Sequence, residues 1–217
     1  FSFFWGYMKQ KLAIFLSGSG SNARNICAYF QNHEKIEVAL LLSNKESSGA
    51  KTISEEFGIP YFIFNRTQFY HSDEILIKLS NHQISTLVLA GFLWLIPENL
   101  LEKYPNHIIN IHPALLPKYG GKGMHGMHVH EAVWQNKETE SGITIHLCNK
   151  EYDKGELLFQ TSAAIEEGET PEDIAKKVLQ LEHKFFPRVI EEYVLIGIAW
   201  NSAKPSFILG RVILINV

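Results

Sequence analysis

Residues 109–117 read INIHPALLP, where an apolar run meets two polar side chains and two prolines. Ile109 and Ile111 alternate with Asn110 and His112, so in a strand Asn110 and His112 share one face. The prolines cannot continue a hydrogen-bonded ladder, which predicts that the strand ends here. Polar side chains at the carboxyl end of a buried strand are typical of a ligand crevice. A loop in which Asn and His only satisfy backbone groups is the alternative.

The stretch overlaps the fifth of five apolar runs that alternate with segments of helical periodicity. Runs without polar alternation predict buried strands at residues 11–17, 38–44, 60–65, 85–93 and 107–112. Segments with apolar residues at helical spacing predict helices at residues 22–33, 49–58, 72–82 and 97–104. Such strands separated by helices indicate an α/β class: a Rossmann-like, mostly parallel central sheet with helices on both faces.

The pattern changes in the C-terminal half, which predicts mixed strand directions there. Two strands, at residues 142–149 and 156–165, are joined by a turn around Asp153 and Gly155. Further helices are predicted at residues 128–136 and 170–194. We expect a single domain over residues 8–194. Residues 1–7 are interpreted as a non-native or upstream extension, and residues 195–217 as an atypical tail that adds an edge strand or covers a surface.

Composition limits the function classes. The chain has 217 residues, 46% of them hydrophobic and 20% charged, which allows one sizeable core. The net charge of −3 argues against a nucleic-acid-coating surface, and no apolar run approaches a membrane span. Cys27 and Cys148 form no Cys-x-x-Cys pair, which favours a reducing, cytoplasmic location. We therefore expect small-molecule partners, no nucleic acid and no membrane, for a monomer or a homodimer.

The sequence SGSGSN at residues 17–22 lies between the first strand and the first helix. Gly18 and Gly20 permit close backbone approach to a ligand, and Ser19, Ser21 and Asn22 add donors. The free N–H groups of the helix amino end carry a partial positive charge, worth roughly 0.3–2 kcal/mol to an anion. The loop is therefore predicted to bind phosphate without a lysine.

Two alternatives for this loop stay open. Gly18-x-Gly20-x-x-Ala23 formally matches a dinucleotide fingerprint, but Ser43 and Asn44 stand where a ribose-binding acid should end the second strand. A tight turn capped by Ser or Asn is the other alternative. A P-loop is excluded because no Gly-Lys-Ser/Thr follows.

Asn110, His112 and Asp153 together suit acyl transfer to an amine. A carboxylate near His112 would orient the imidazole and favour its charged form. The Asn110 amide would donate a hydrogen bond to a developing oxyanion. No Gly-x-Ser-x-Gly motif occurs, so a covalent enzyme intermediate is not expected. Alone, an Asp in the sequence YDKG is more often only a turn residue.

Several segments resemble the folate-dependent formyltransferases in content and in order. They are KLAIFLSGSGSN, LSNK, VLAGFL, INIHPALLPKYGGKG, TIHL, YDKGELLFQ and EHKFFP, within residues 9–194. The Asn-x-His-Pro-x-Leu-Leu-Pro signature is specific to that superfamily, and the Ser-Gly-x-Gly-Ser-Asn loop is similar to its phosphoribosylglycinamide formyltransferase branch. The resemblance implies transfer of the formyl group of 10-formyltetrahydrofolate to the amine of 5-phosphoribosylglycinamide, in de novo purine biosynthesis.

The resemblance also implies roles for individual residues. The substrate phosphate would be held by Gly20, Ser21 and Asn22. The ribose or glycinamide end would contact Glu182. The folate pterin pocket would be lined by Leu93, Trp94, Leu95 and Ile96, with Asn110 beside it. The catalytic residues would be Asn110, His112 and Asp153, supported by His146. In the implied mechanism the amine attacks directly, and Asn110 and a protonated His112 stabilise the oxyanion.

Two residues depart from the family pattern. Trp94 stands where many relatives have Arg, and Ser72 where some have an Arg that contacts folate. Folate recognition is therefore expected to differ in this chain.

Rival interpretations come from other motifs. HGMHVHE at residues 125–131 suggests a metal site, but only His125 and His128 share a helical face and no His-Glu-x-x-His occurs, so no metal is expected. Methionyl-tRNA formyltransferase and formyltetrahydrofolate deformylase share the Asn, His and Asp set but carry further domains. A non-catalytic nucleotide-sensing module is the alternative from a different class.

Overall fold

The computed structural model describes residues 9–202, with side chains described for residues 9–196. The strands are β1 Gln10–Leu16, β2 Ile36–Ser43, β3 Tyr61–Ile63, β4 Thr86–Leu89, β5 Ile108–His112, β6 Glu140–Leu147 and β7 Leu157–Ala164. The helices are α1 Ser21–Phe30, α2 Ala50–Phe57, α3 Arg66–Tyr70, α4 Glu74–Asn81, α5 Glu98–Lys103, α6 Met127–Gln135 and α7 Pro171–Ser202. The predicted extension at residues 1–7 and the tail beyond Ser202 lie outside the described residues.

The strands form one sheet in the order β3-β2-β1-β4-β5-β6-β7. β1 to β5 are parallel, whereas β6 pairs antiparallel with both β5 and β7. The predicted Rossmann-like sheet with mixed strands near the C-terminal half is confirmed. β1 shows why its sequence lacks polar alternation, because both of its faces are covered. Leu12, Ile14 and Leu16 contribute to one hydrophobic core, and Ala13 and Phe15 to the other.

The first core lies between the sheet and α1, α2, α6 and α7. It includes Phe30, Ile53, Val133 and Phe186, which are almost fully buried. The second core lies on the opposite face and is rich in aromatic rings. Phe64 and Phe69 stack there with ring centroids 5.0 Å apart. In the described part of the chain, none of the helices has the length and apolar character needed to cross a membrane.

Three local predictions were wrong. The fourth strand ends at Leu89 rather than at residue 93, because Gly91 adopts a φ of 73° and turns the chain out of the sheet. Helix α3 was not predicted, although Asn65 and Gln68 form a capping box at its start. Helix α7 passes through Pro187 and ends at Ser202 rather than at residue 194, and the rest of the tail, for which an edge strand or a surface cover was predicted, lies outside the described residues.

The loop after β1 is held by close contact with the start of α2. Gly49 N donates to Gly18 O at 3.0 Å, and Ser17 N donates to Gly91 O at 3.1 Å. A Cβ atom built on Gly49 would lie 1.9 Å from the Ser19 carbonyl oxygen. Only glycine at residue 49 therefore permits this approach of two backbone segments.

Replacement of Gly49 by Ala is expected to lower the free energy of unfolding by about 1–3 kcal/mol, because the loop or α2 must move to accept the methyl group. The matched control is Gly18→Ala in the same loop, where a Cβ meets no atom within 4 Å. Urea unfolding of both variants measures the difference. Equal stability of the two variants would contradict the close contact.

Candidate functional site

A cavity of about 790 Å³ opens at the carboxyl ends of the parallel strands. The chain runs from β1 to β2 and β3 before it returns to β4 on the other side of β1. The loops after β1 and β4 therefore diverge and leave a crevice, which is where open α/β sheets bind ligands. The wall residues from these loops and from β5 include Ser19, Asn22, Gly91, Trp94, Asn110 and His112.

Asp153, in the connection between β6 and β7, is the centre of the polar part of the cavity. Its Oδ2 accepts a hydrogen bond from Gly121 N at 2.9 Å and lies 3.6 Å from His112 Nδ1. Its Oδ1 lies 3.6 Å from His146 Nε2. The structure thus brings Asp153 to His112, as the sequence predicted, and adds a backbone donor from the GGKG segment, residues 120–123.

His112 ends β5 and is 4% exposed. Its Nε2 lies 2.7 Å from the Tyr119 carbonyl oxygen, which can only accept, so Nε2 carries a hydrogen. Nδ1 is therefore the ring nitrogen that can gain or lose a proton beside Asp153.

Burial lowers the pKa of His112 below its ordinary value of 6.5, although the Asp153 carboxylate and the Tyr119 bond raise it. The expectation that Asp153 keeps His112 charged is corrected here. Asp153 raises the pKa of His112, as predicted, but the loss of hydration on burial lowers that pKa by more. His112 is consequently neutral at pH 7 in the ligand-free protein.

The pKa of Asp153 is shifted in the direction that keeps it ionised. Burial raises this pKa, but the contacts with His146, His112 and Gly121 outweigh burial and hold it below its ordinary value. A fixed negative charge therefore stands beside the neutral imidazole of His112.

Asn110 and His146 face each other across the β5–β6 pair. His146 Nδ1 lies 2.9 Å from the Leu147 carbonyl oxygen and so carries the hydrogen. The other ring nitrogen, Nε2, accepts from Asn110 Nδ2 at 3.0 Å. This bond orients the Asn110 amide and leaves its second N–H for a ligand. His146 thus lies beside Asn110 and Asp153, and the supporting role predicted for it stays a prediction.

The loop predicted to bind phosphate contributes to the cavity wall. Gly20 has a φ of 81° and precedes α1, whose first N–H groups are free of side-chain caps. Ser19 and Asn22 line the cavity, whereas Gly20 and Ser21 are not among its lining residues. The predicted phosphate contacts of Gly20 and Ser21 therefore stay a prediction.

Glu182 of α7 lies beside this loop. Asn22 Nδ2 donates to Glu182 Oε2 at 2.6 Å, although the two residues are far apart in the sequence. Burial raises the pKa of Glu182, and the Asn22 bond lowers it by less. The predicted substrate-binding residues Asn22 and Glu182 are thus brought together in one buried pair.

An apolar part of the cavity wall is formed by Leu93, Trp94, Leu95 and Ile96. Leu93 N donates to Ser17 Oγ at 3.1 Å, and Tyr70 Oη donates to Leu95 O at 3.0 Å. The Trp94 ring packs on Tyr70 and lies 5.0 Å from the Arg66 guanidinium carbon. The segment is therefore a fixed apolar wall, suited to a flat ring system. Ser72 is not part of this wall and bonds the backbone of Gln68 and Glu74.

The histidine-rich motif does not assemble a metal site in the described part of the chain. The rings of His125 and His128 are 5.6 Å apart, while His130 is buried on α6. No group of three His, Cys, Asp or Glu side chains within the described residues has metal-binding geometry.

Sequence reasoning missed the contributions of Tyr119 and Gly121. Both act through main-chain atoms, for which a sequence carries no direct signal. The GGKG sequence did not indicate that one of its amides would bind the Asp153 carboxylate.

Comparison with known proteins agrees with this geometry. The profile of the family described as formyl transferase matches residues 10–190. The phosphoribosylglycinamide formyltransferase of Bacillus subtilis (strain 168) is 32% identical over 200 residues, which cover 90% of this chain and 99% of that protein. The chloroplastic phosphoribosylglycinamide formyltransferase of Arabidopsis thaliana is 39% identical over 202 residues, covering 89% and 68%.

A solved structure of the same family has a similar fold. The crystal structure of phosphoribosylglycinamide formyltransferase from Bacillus halodurans superimposes with a TM-score of 0.77 at 31% identity, covering 88% of this chain and 98% of that one. The chain therefore belongs to the formyl transferase family and, within it, to the phosphoribosylglycinamide formyltransferase enzymes.

Proposed function

We propose that this enzyme transfers the formyl group of 10-formyltetrahydrofolate to the amine of 5-phosphoribosylglycinamide, a step of de novo purine biosynthesis. The proposal rests on one cavity whose wall contains residues at the uncapped amino end of α1 and a fixed apolar segment. Asn110, His112 and Asp153 line the same cavity. Only small-molecule substrates are needed, and the proposed chemistry requires no metal.

The two substrates would bind in different parts of the cavity. The phosphate would be held by the backbone N–H groups of Gly20, Ser21 and Asn22, and Glu182 would contact the ribose or glycinamide end. The folate pterin would lie against Leu93, Trp94, Leu95 and Ile96. Placing amine and formyl carbon together would supply much of the rate enhancement.

The reaction would begin with attack of the neutral amine on the formyl carbon. A C–N bond forms and the carbonyl electron pair moves to oxygen, where the free N–H of Asn110 stabilises the negative charge. His112 Nδ1 takes the proton of the attacking nitrogen. The resulting cation is stabilised by the ionised Asp153 and in turn stabilises the oxyanion.

Collapse of this tetrahedral intermediate would complete the transfer. The bond from the formyl carbon to the folate nitrogen breaks, and that nitrogen takes the proton from His112. The products are formylated ribonucleotide and tetrahydrofolate, with His112 returned to its neutral form. The protonated His112 of the implied mechanism is thus a form reached during the reaction, because burial keeps the resting imidazole neutral.

Purified protein is expected to formylate 5-phosphoribosylglycinamide, with tetrahydrofolate formation measured by absorbance. Asn110→Ala, His112→Ala and Asp153→Ala should each lower kcat by about 10²–10⁴-fold, the usual contribution of oxyanion donors and of acid–base groups. His71→Ala is the matched control, because His71 is exposed and does not line the cavity. Binding of both substrates without turnover would favour the sensing module instead, and near-normal kcat in all three variants would refute the assigned roles.

The pH dependence of kcat follows from the direction of the pKa shift at His112. Because a proton acceptor must be neutral, kcat should rise with pH up to about 6.5 and not fall between about pH 6.5 and pH 8. Deprotonation of the bound amine would change kcat in the same direction. Steady-state rates at saturating concentrations of both substrates test this, and a kcat that declines above pH 6.5 would show that resting His112 must be charged.

A further inference from the structure

His130 is a buried histidine of the cavity wall with no role so far. It lies on α6, is 6% exposed, and is among the residues that line the cavity. Its motif was considered above only as a metal site. A buried polar group in a ligand cavity needs an explanation, because leaving it without a hydrogen bond is unfavourable by about 1–3 kcal/mol.

The two ring nitrogens of His130 have different surroundings. Nδ1 is shielded from solvent and has no hydrogen-bond partner among the described residues. Nε2 is not shielded in this way and is also without a described partner, so it is the nitrogen that a ligand in the cavity can reach. An unpaired N–H is harder to bury than an unpaired lone pair, so the hydrogen belongs on Nε2.

The charge state agrees with this tautomer. Burial lowers the pKa of His130, and the nearby His112 lowers it further. A neutral ring with its hydrogen on Nε2 presents a single donor to the cavity and cannot donate through Nδ1.

The position of α6 indicates which substrate would accept this hydrogen bond. α6 packs against α7, which carries Glu182, and Glu182 bonds Asn22. His130, Asn22 and Glu182 line the same cavity. His130 is close enough to His112 for the two rings to interact, and its helix adjoins the helix that is proposed to contact the ribonucleotide.

We propose that His130 is a substrate-binding residue whose Nε2–H donates a hydrogen bond to an oxygen at the glycinamide end of the ribonucleotide. The inference rests on the proposed function and adds a residue that holds the amine-bearing substrate beside His112. Its effect is on binding of this one substrate rather than on proton transfer.

Three substitutions separate this role from a structural one. His130→Leu removes both ring nitrogens at similar volume. His130→Gln places an amide N–H near the position of Nε2, whereas His130→Asn places it near Nδ1. Steady-state kinetics with each substrate varied in turn would be measured for all three variants, and thermal unfolding would report whether each is folded.

The expected result for His130→Leu is a KM for 5-phosphoribosylglycinamide about tenfold higher, as for one lost hydrogen bond, with the KM for 10-formyltetrahydrofolate changed less than about twofold. His130→Gln should recover most of the loss, and His130→Asn should not. If His130→Leu does not fold, the inference is tested by the ribonucleotide KM of His130→Gln compared with that of His130→Asn.

Three results would overturn the inference: an unchanged ribonucleotide KM in His130→Leu, an equal rise in both KM values, or recovery by Asn instead of Gln. If the wild-type protein does not formylate the ribonucleotide, the proposed function and this inference both fail. Normal wild-type turnover with unaffected His130 variants refutes only the inference.

Discussion

The arrangement of the site depends on one half-buried carboxylate. Asp153 is within 3.6 Å of both His112 and His146, and it also accepts the amide of Gly121. It can do so because its connection passes tightly over β6, where a Cβ on Gly155 would lie 1.5 Å from the Leu147 carbonyl oxygen. The GGKG turn, the end of β5 and the end of β6 thus meet at a single negative charge.

Burial decides how this charge can act. It makes the neutral form of His112 the resting form, while Asp153 stays ionised beside it. A cation formed at His112 during a reaction is therefore next to its counter-ion from the outset. The site can accept a proton at His112 with a counter-ion already 3.6 Å away, and such preorganised charge favours acyl transfer.

The sequence predicted most of the sheet because its strands are continuous apolar runs and its helices have clear periodicity. It failed at Gly91, since a positive φ is compatible with glycine but not visible in an apolar run such as LVLAGFL. The meeting of Asp153 with His112 was predictable because both side chains belong to recognisable sequence motifs. The site was not predictable where main-chain atoms make the contacts, as at Tyr119, or where burial sets the sign of a pKa shift, as at His112.

The direct test of the account is an NMR titration of the His112 imidazole in the wild-type protein and in Asp153→Asn. We expect a wild-type pKa below 6.5, because burial outweighs the carboxylate, and a still lower pKa in the variant, because the attraction of Asp153 is lost. A wild-type pKa above 6.5, or a variant pKa equal to or above that of the wild type, would contradict the central role of Asp153.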